Sequence, residues 1–364
     1  MNGITRRAML ASVSRSLIAA TVVKPSTRKA KPLPRVGEFF RFADPTTETP
    51  VTRLTNPTTT SLLPAAANRF VSVKERFLVF SSDRTGTAAP FRLDLRTGVL
   101  TPLAQTSNLV SLSLTLDAQE RTLYFLDGED LKEVGLTTKK VRALAEGVEA
   151  ISPGNSASEF VVVRQGRLER LNAGGKPLAE EVAPWCMVRP DGKGCAFGRE
   201  IGGDEREFWY APFAETNDAK PILLGKGRIS DPIWSPDGGS LLFLREVPGR
   251  GTFLSEIHEA SPETGLERKV TPTSQFASFA PNGDGSVFVG ASRSKAQPTV
   301  ILLLRSVQRE FTLCEHRASH PASVSPVFSP DSRRVYFQSD HQGKSALYSV
   351  NVELLVEPTL TSAE

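Results

Sequence analysis

The stretches Asp231–Leu244, DPIWSPDGGSLLFL, and Ser325–Gln338, SPVFSPDSRRVYFQ, are one phrase written twice, 94 positions apart. Each runs Pro, apolar, aromatic, Ser-Pro-Asp, three small or polar residues, then an apolar run containing Phe. Pro236-Asp237-Gly238 and Pro330-Asp331-Ser332 are turn chemistry, because Pro presets φ, Asp bonds its own backbone, and Gly tolerates positive φ. Ile233-Trp234 before the turn and Leu241-Leu242-Phe243 after it suit a pleated, half-buried surface, so each phrase predicts a β-hairpin.

Weaker copies keep the same register. Cys186–Phe197 reads CMVRPDGKGCAF, and Phe276–Val289 reads FASFAPNGDGSVFV, with one extra residue in its turn. A second phrase repeats as well: Phe80–Leu95, FSSDRTGTAAPFRLDL, matches Phe337–Val352, FQSDHQGKSALYSVNV, without a gap. There Asp83 and Gly86 fall on Asp340 and Gly343, and the period-two residues Phe91, Leu93 and Leu95 fall on Tyr348, Val350 and Val352. Taking the second strand of each hairpin as marker gives Phe80, Phe125, Val163, Phe197, Phe243, Val289 and Phe337, spaced 34 to 48 residues apart. That is the period of propeller blades, and a unit of three or four short strands cannot bury both faces alone. The expected fold is all-β, a seven-bladed β-propeller over residues 40–357.

The last unit has no outer strand of its own, while Val51–Thr55 resembles the outer strand Gly98–Leu103 of the first unit. Val51–Thr55 is therefore expected to complete the seventh blade and remove the open sheet edges. One domain suffices for 364 residues, and 27 Gly and 26 Pro fit a chain full of tight turns.

Residues 1–35 carry eight basic residues and no acidic ones, so the remainder holds 36 basic against 40 acidic and is net negative. The overall charge of +4 thus belongs to the leader, and nucleic-acid binding loses its electrostatic argument. Thr5–Leu10, TRRAML, followed by the weakly apolar Ser14–Val23, predicts a twin-arginine export signal over 1–23, too short and polar to span a bilayer. A basic, Pro-rich linker over 24–39 and a disordered tail over 358–364 complete the division. The expected location is periplasmic or extracellular. Cys186 and Cys195, which flank one hairpin turn, read as two buried thiols, the alternative being a disulfide across the hairpin in the oxidising environment there.

With the repeats in hand, the chain resembles propellers of the TolB type, with their aromatic-Ser-Pro-Asp-Gly hairpins, and more closely the oligogalacturonate lyase family. The opening Phe42–Pro57, FADPTTETPVTRLTNP, with Phe80–Gly86 and Leu93–Gly98, is similar to that family's first blade, and His316–Val352 to its last. The resemblance implies β-elimination on uronate oligomers, in which a base removes the proton alpha to the sugar carboxylate while a divalent metal and an arginine stabilise the enolate-like charge. The family's ligands are mostly histidines. Its catalytic histidine falls on Asp231, its blade-six histidine near Ser278, and its last-blade His-Pro-His-Pro run on Ser323-Val-Ser-Pro326. Its His-rich stretch is here Thr58–Pro64, TTTSLLP, and His320 stands where a glutamine ligand is expected.

Serine hydroxyls are poor replacements for imidazoles, so no metal or other cofactor is expected, with Mn²⁺ entering only if lyase chemistry survives. The favoured expectation is a monomeric binding or scaffold propeller for an acidic oligosaccharide or a protein ligand. The alternative is a lyase with an altered site, in which Asp231 or His320 is the base and Arg69 or Arg317 binds carboxylates. Asp231 reads more readily as an ordinary turn or loop residue, and His320 as part of a polar loop. His258 and His341 are expected to be exposed, Asn282–Gly285 to be a hairpin turn rather than a calcium loop, and Asp204–Glu207 a solvated loop. No G-x-S-x-G, P-loop or C-x-x-C motif occurs.

Overall fold

A computed structural model describes residues 37–154, 159–171, 177–213, 220–249, 253–273 and 275–357. The leader, most of the linker and the tail read from the sequence lie outside them. Seven antiparallel sheets follow one another along the chain, six of four strands and one of five. Among the described residues there is no α-helix, only the short 3-10 turns Ser111–Ser113 and Pro321–Val324.

Every marker residue lies on the second strand of its sheet. Phe80 is on Phe77–Ser82, Phe125 on Thr122–Asp127, Val163 on Phe160–Arg164 and Phe197 on Gly194–Gly202. Phe243 is on Leu241–Pro248, Val289 on Val287–Ser292 and Phe337 on Arg334–Ser339. None is more than 2% exposed, because the second strand is covered by the neighbouring blade on each face. Aromatic rings fill the seams between blades. Phe208 of blade 4 meets Phe243 of blade 5 edge-on at 5.6 Å, and Tyr124 of blade 2 meets Phe160 of blade 3 at 4.8 Å.

The duplicated phrase forms the same hydrogen-bonded turn in both places. Asp237 accepts from the Ser235 hydroxyl at 2.6 Å and the Gly239 amide at 2.9 Å, and Asp331 accepts from Ser329 at 2.7 Å and the Arg333 amide at 3.1 Å. Positive φ recurs at one position of these turns, at Glu75, Glu120, Gly192, Gly238, Gly285 and Ser332. The second phrase is equally regular, since Phe80 pairs with Phe91 and Phe337 with Tyr348. Asp83 and Asp340 do the same work, accepting the amides of Thr60 and Ser319 in the chain that enters their blades.

In the seventh sheet, Pro50–Arg53 lies beside Ala346–Asn351, with Val51 opposite Val350 and Arg53 opposite Tyr348. The contact continues past the strand, where the Leu54 amide donates to Leu347 and the Leu347 amide to the Thr55 hydroxyl. A fifth strand, Phe40–Ala43, which the repeat pattern does not predict, lies outside Pro50–Arg53.

Several local expectations are corrected. Asp204–Glu207 is not a free loop: Glu205 opens the strand Glu205–Pro212, and Arg206 pairs with Glu200 across the hairpin at 3.1 Å. His258 is largely buried between Glu256 at 3.1 Å and Glu267 at 2.7 Å. His341 is exposed, as expected; its ring lies 5.9 Å from that of Tyr348, and the desolvation this brings holds its imidazole below the ordinary histidine range. The cysteines, by contrast, follow the expectation of two buried thiols: Cys186 faces Phe197 while Cys195 faces Val188, offset by two positions, and both are free and buried.

Candidate functional site

The first strand of each blade lines the central channel. A cavity of about 410 Å³ occupies the end where these strands begin, here the mouth, and every blade contributes to its wall. Asn68, Ser113, Ile151 and Met187 come from the first four blades, and Asp231, Ser278 and Ser325 from the last three. A second cavity, of about 270 Å³, lies toward the hairpin end, sharing Asn68, Met187 and Ile233 with the first and adding Arg69, Asp117 and Arg189.

Asp231 is placed by an irregularity of its own strand. The register of Ile229–Trp234 against Leu241–Pro248 shifts between Ser230 and Ile233, and Asp231 has φ 52. A left-handed non-glycine residue is uncommon, and Asp is among the side chains that tolerate it. Burial pushes its carboxyl up to about 6, against the opposing pull of the Ser230 hydroxyl, Arg293 and Arg206. The neighbouring blades are irregular at the same level. Blade 6 shifts register between Phe276 and Ser278, and Ser325 in blade 7 has φ 45. Ser278 is 4% exposed, and its hydroxyl has no hydrogen-bond partner among the described residues.

The structure thus brings Asp231, Ser278 and Ser325 to one cavity but disperses the other sequence candidates. His320 is exposed beside the Ser319 hydroxyl, 2.9 Å from its Nδ1, and is not among the lining residues. Arg317 is half-exposed, paired with Glu315, and also outside the cavity. Arg69 is exposed at the hairpin end, in the second cavity. His316 is wholly buried, its Nε2 3.0 Å from the Ser292 carbonyl while Nδ1 accepts the Ala318 amide at 3.0 Å. Burial lowers its pKa, so it is a neutral structural clamp.

Trp185 and Glu149 escaped the sequence reading. Counting back three residues from the one before Arg/Ser-Pro-Asp lands on Trp185 in blade 4, Asp231 in blade 5 and Ser325 in blade 7, and all three line the cavity. In blade 6 the same count lands on Phe276, and the register shift puts Ser278 on the wall instead. Trp185 rests on Gly198, where a Cβ would come within 2.4 Å of the indole, and meets Phe208 edge-on at 5.4 Å.

This is a propeller with a lined central channel, and the comparisons agree. No family model matches the chain. An oligogalacturonate lyase solved in complex with manganese superposes with a TM-score of 0.76 at 21% identity, over 87% of this chain and 96% of that one. The oligogalacturonate lyase of Vibrio parahaemolyticus superposes with a TM-score of 0.75 at 18% identity, over 87% and 97%. Among curated proteins, an uncharacterized peptidase of Bacillus subtilis, YuxL, is 26% identical over 151 residues, 42% of this chain but only 21% of that protein's length. The chain resembles oligogalacturonate lyases in fold.

Manganese in the first neighbour invites a test of fit. The mouth offers one recessed carboxylate, one exposed carboxylate and serine hydroxyls, and among the described residues no three His, Cys, Asp or Glu side chains converge as metal ligands. This donor set does not fit a divalent transition metal, which is held by imidazole and carboxylate ligands together.

Proposed function

We propose that this protein is an exported ligand-binding propeller on the oligogalacturonate lyase frame, and not a metal-dependent lyase. The observation that carries this reading is the channel mouth, where Asp231, Ser278 and Ser325 share one cavity at the places the resemblance gives to imidazoles. A serine hydroxyl neither ionises near neutral pH nor competes with water for the metal. Without a Lewis acid on the uronate carboxylate, the enolate-like transition state loses several kcal/mol, on the order of a thousandfold or more in rate. What remains is a lined, partly apolar channel suited to holding a glycan or a segment of a protein partner.

A second reading, a lyase working through Asp231 alone, is favoured by that residue's pKa of about 6, suited to proton abstraction near neutral pH. It lacks a cation for the substrate carboxylate at the same end. Arg69 is at the hairpin end, and Arg293 is held by Glu246 at 2.7 Å and the Phe276 carbonyl at 3.0 Å. Mixing the purified protein with oligogalacturonate and Mn²⁺ separates the two readings. The expected outcome is no chelator-sensitive growth in the ultraviolet absorbance of unsaturated uronates. Growth that disappears in Asp231→Ala would make the enzyme reading the correct one.

A further inference from the structure

The charges and apolar groups at the channel mouth are arranged for a ligand of a particular sign. Asp231 and the exposed Glu149 are its carboxylates among the described residues, and no Lys, Arg or His is on the wall with them. No ion pair to either carboxylate forms among the described residues. The two arginines that act on Asp231 lie outside the wall and are held by carboxylates of their own, Arg293 by Glu246 at 2.7 Å and Arg206 by Glu200 at 3.1 Å. A polyanionic ligand would therefore meet like charge on the wall, whereas a cation would gain a partly desolvated carboxylate.

The wall also carries apolar surface left in water. Leu112 is 58% exposed and Val110 39%, both at the cavity, and the half-buried Trp185 is held in place by Gly198 and Phe208. An indole on the same cavity wall as a carboxylate suits an organic ammonium ion, which a free ring face attracts and the carboxylate neutralises. The Ser278 hydroxyl supplies independent evidence of a missing polar partner. It is nearly fully buried, it lines this cavity, and nothing in the described protein bonds to it. Such an orphan is destabilising unless something outside the chain completes it.

We propose that the mouth cavity binds the ammonium group of an organic amine, with Asp231 as the counter-charge, Trp185 and Leu112 against the body of the ligand, and Ser278 as a hydrogen-bonding partner. This rests on the reading of the channel as a binding site and names the class of ligand it takes. A volume of about 410 Å³ admits a compact amine or a disaccharide of amino sugars.

Titration calorimetry at pH 7.5 tests it with matched pairs: choline against its uncharged isostere 3,3-dimethylbutan-1-ol, and a glucosamine disaccharide against its neutral N-acetylated form, with digalacturonate as the anion. The expected result is that at least one ammonium probe binds about tenfold or more tightly than its neutral match and than digalacturonate. Which pair shows the preference separates a simple amine from an amino sugar. Asp231→Asn keeps a side chain that tolerates positive φ, so the fold is retained, and it should erase the preference. Ser278→Ala should hold or raise the melting temperature of the free protein and weaken ammonium binding about threefold or more. Equal affinity for charged and neutral partners, tighter binding of digalacturonate, or no binding of either ammonium probe overturns the proposal. In the first two outcomes the channel still binds a ligand, and only chelator-sensitive turnover overturns the reading beneath it.

Discussion

At the scale of single residues, the turn that begins each blade's second strand does more than reverse the chain. Glu75, in the blade 1 turn, meets Asp331 of the blade 7 turn, with Arg334 3.2 Å away. Burial first, and then the hydrogen bond with Asp331, push Glu75 up to about 7 from an ordinary value of 4.5. Burial also acts to raise Asp331, but hydrogen bonds from Glu75, Ser329 and the Arg333 amide outweigh it and hold that carboxyl low. Below about pH 7 the proton of this pair is therefore carried on Glu75. Because the folded state binds this proton more tightly than the unfolded chain, stability falls as pH rises from about 4.5 to 7. Glu75→Gln keeps a donor toward Asp331 and cannot ionise. It should flatten that part of the pH profile and be more stable than the parent above pH 7 by on the order of 1–2 kcal/mol, read from urea midpoints at several pH values.

At the scale of elements, neighbouring turns hold each other. The Arg189 Nε of blade 4 donates to the Gly238 carbonyl of blade 5 at 2.8 Å, and the Gly283 amide of blade 6 donates to Ser332 of blade 7 at 3.0 Å. Gly238 combines φ +69 with the Pro190 ring 3.2 to 3.4 Å from where a Cβ would stand. Gly238→Ala should therefore cost about 1–2 kcal/mol, visible as a lower denaturant midpoint at unchanged m-value. The equivalent turn of blade 7 uses Ser332 at φ 61 and gains the Gly283 contact, so the same backbone is met by two side-chain solutions. The hairpins were legible in the sequence because Pro-Asp-Gly chemistry is local. The register shifts at Ser230–Ile233 and Phe276–Ser278 were not, since they depend on the packing of adjacent blades.

At the scale of the whole molecule, the basic charge is confined to residues 1–35, while residues 36–364 are net negative. Among the described residues no helix is long and apolar enough to cross a membrane. Export is a proposal that rests on Arg6-Arg7. Residues 1–35 fused to a reporter active only outside the cytoplasm should give signal, and Arg6→Lys with Arg7→Lys should remove it; an unchanged signal refutes the twin-arginine reading.

The sequence alone determined the number and content of the blades, because turn chemistry and period-two burial are read within a few residues and repeat at a fixed spacing. Phe80, Phe125, Val163, Phe197, Phe243, Val289 and Phe337 could be named as one structural class before any coordinates. Only the tertiary structure decided which side chains share the channel. Asp231, Ser278 and Ser325 come together from positions 47 residues apart, while Arg69 is carried to the hairpin end and His320 is left exposed outside the cavity. Counting back from Arg/Ser-Pro-Asp marks Trp185, Asp231 and Ser325 in the sequence, but the register shift that puts Ser278 on the wall in place of Phe276 is set by the ring packed around it, which no local pattern encodes.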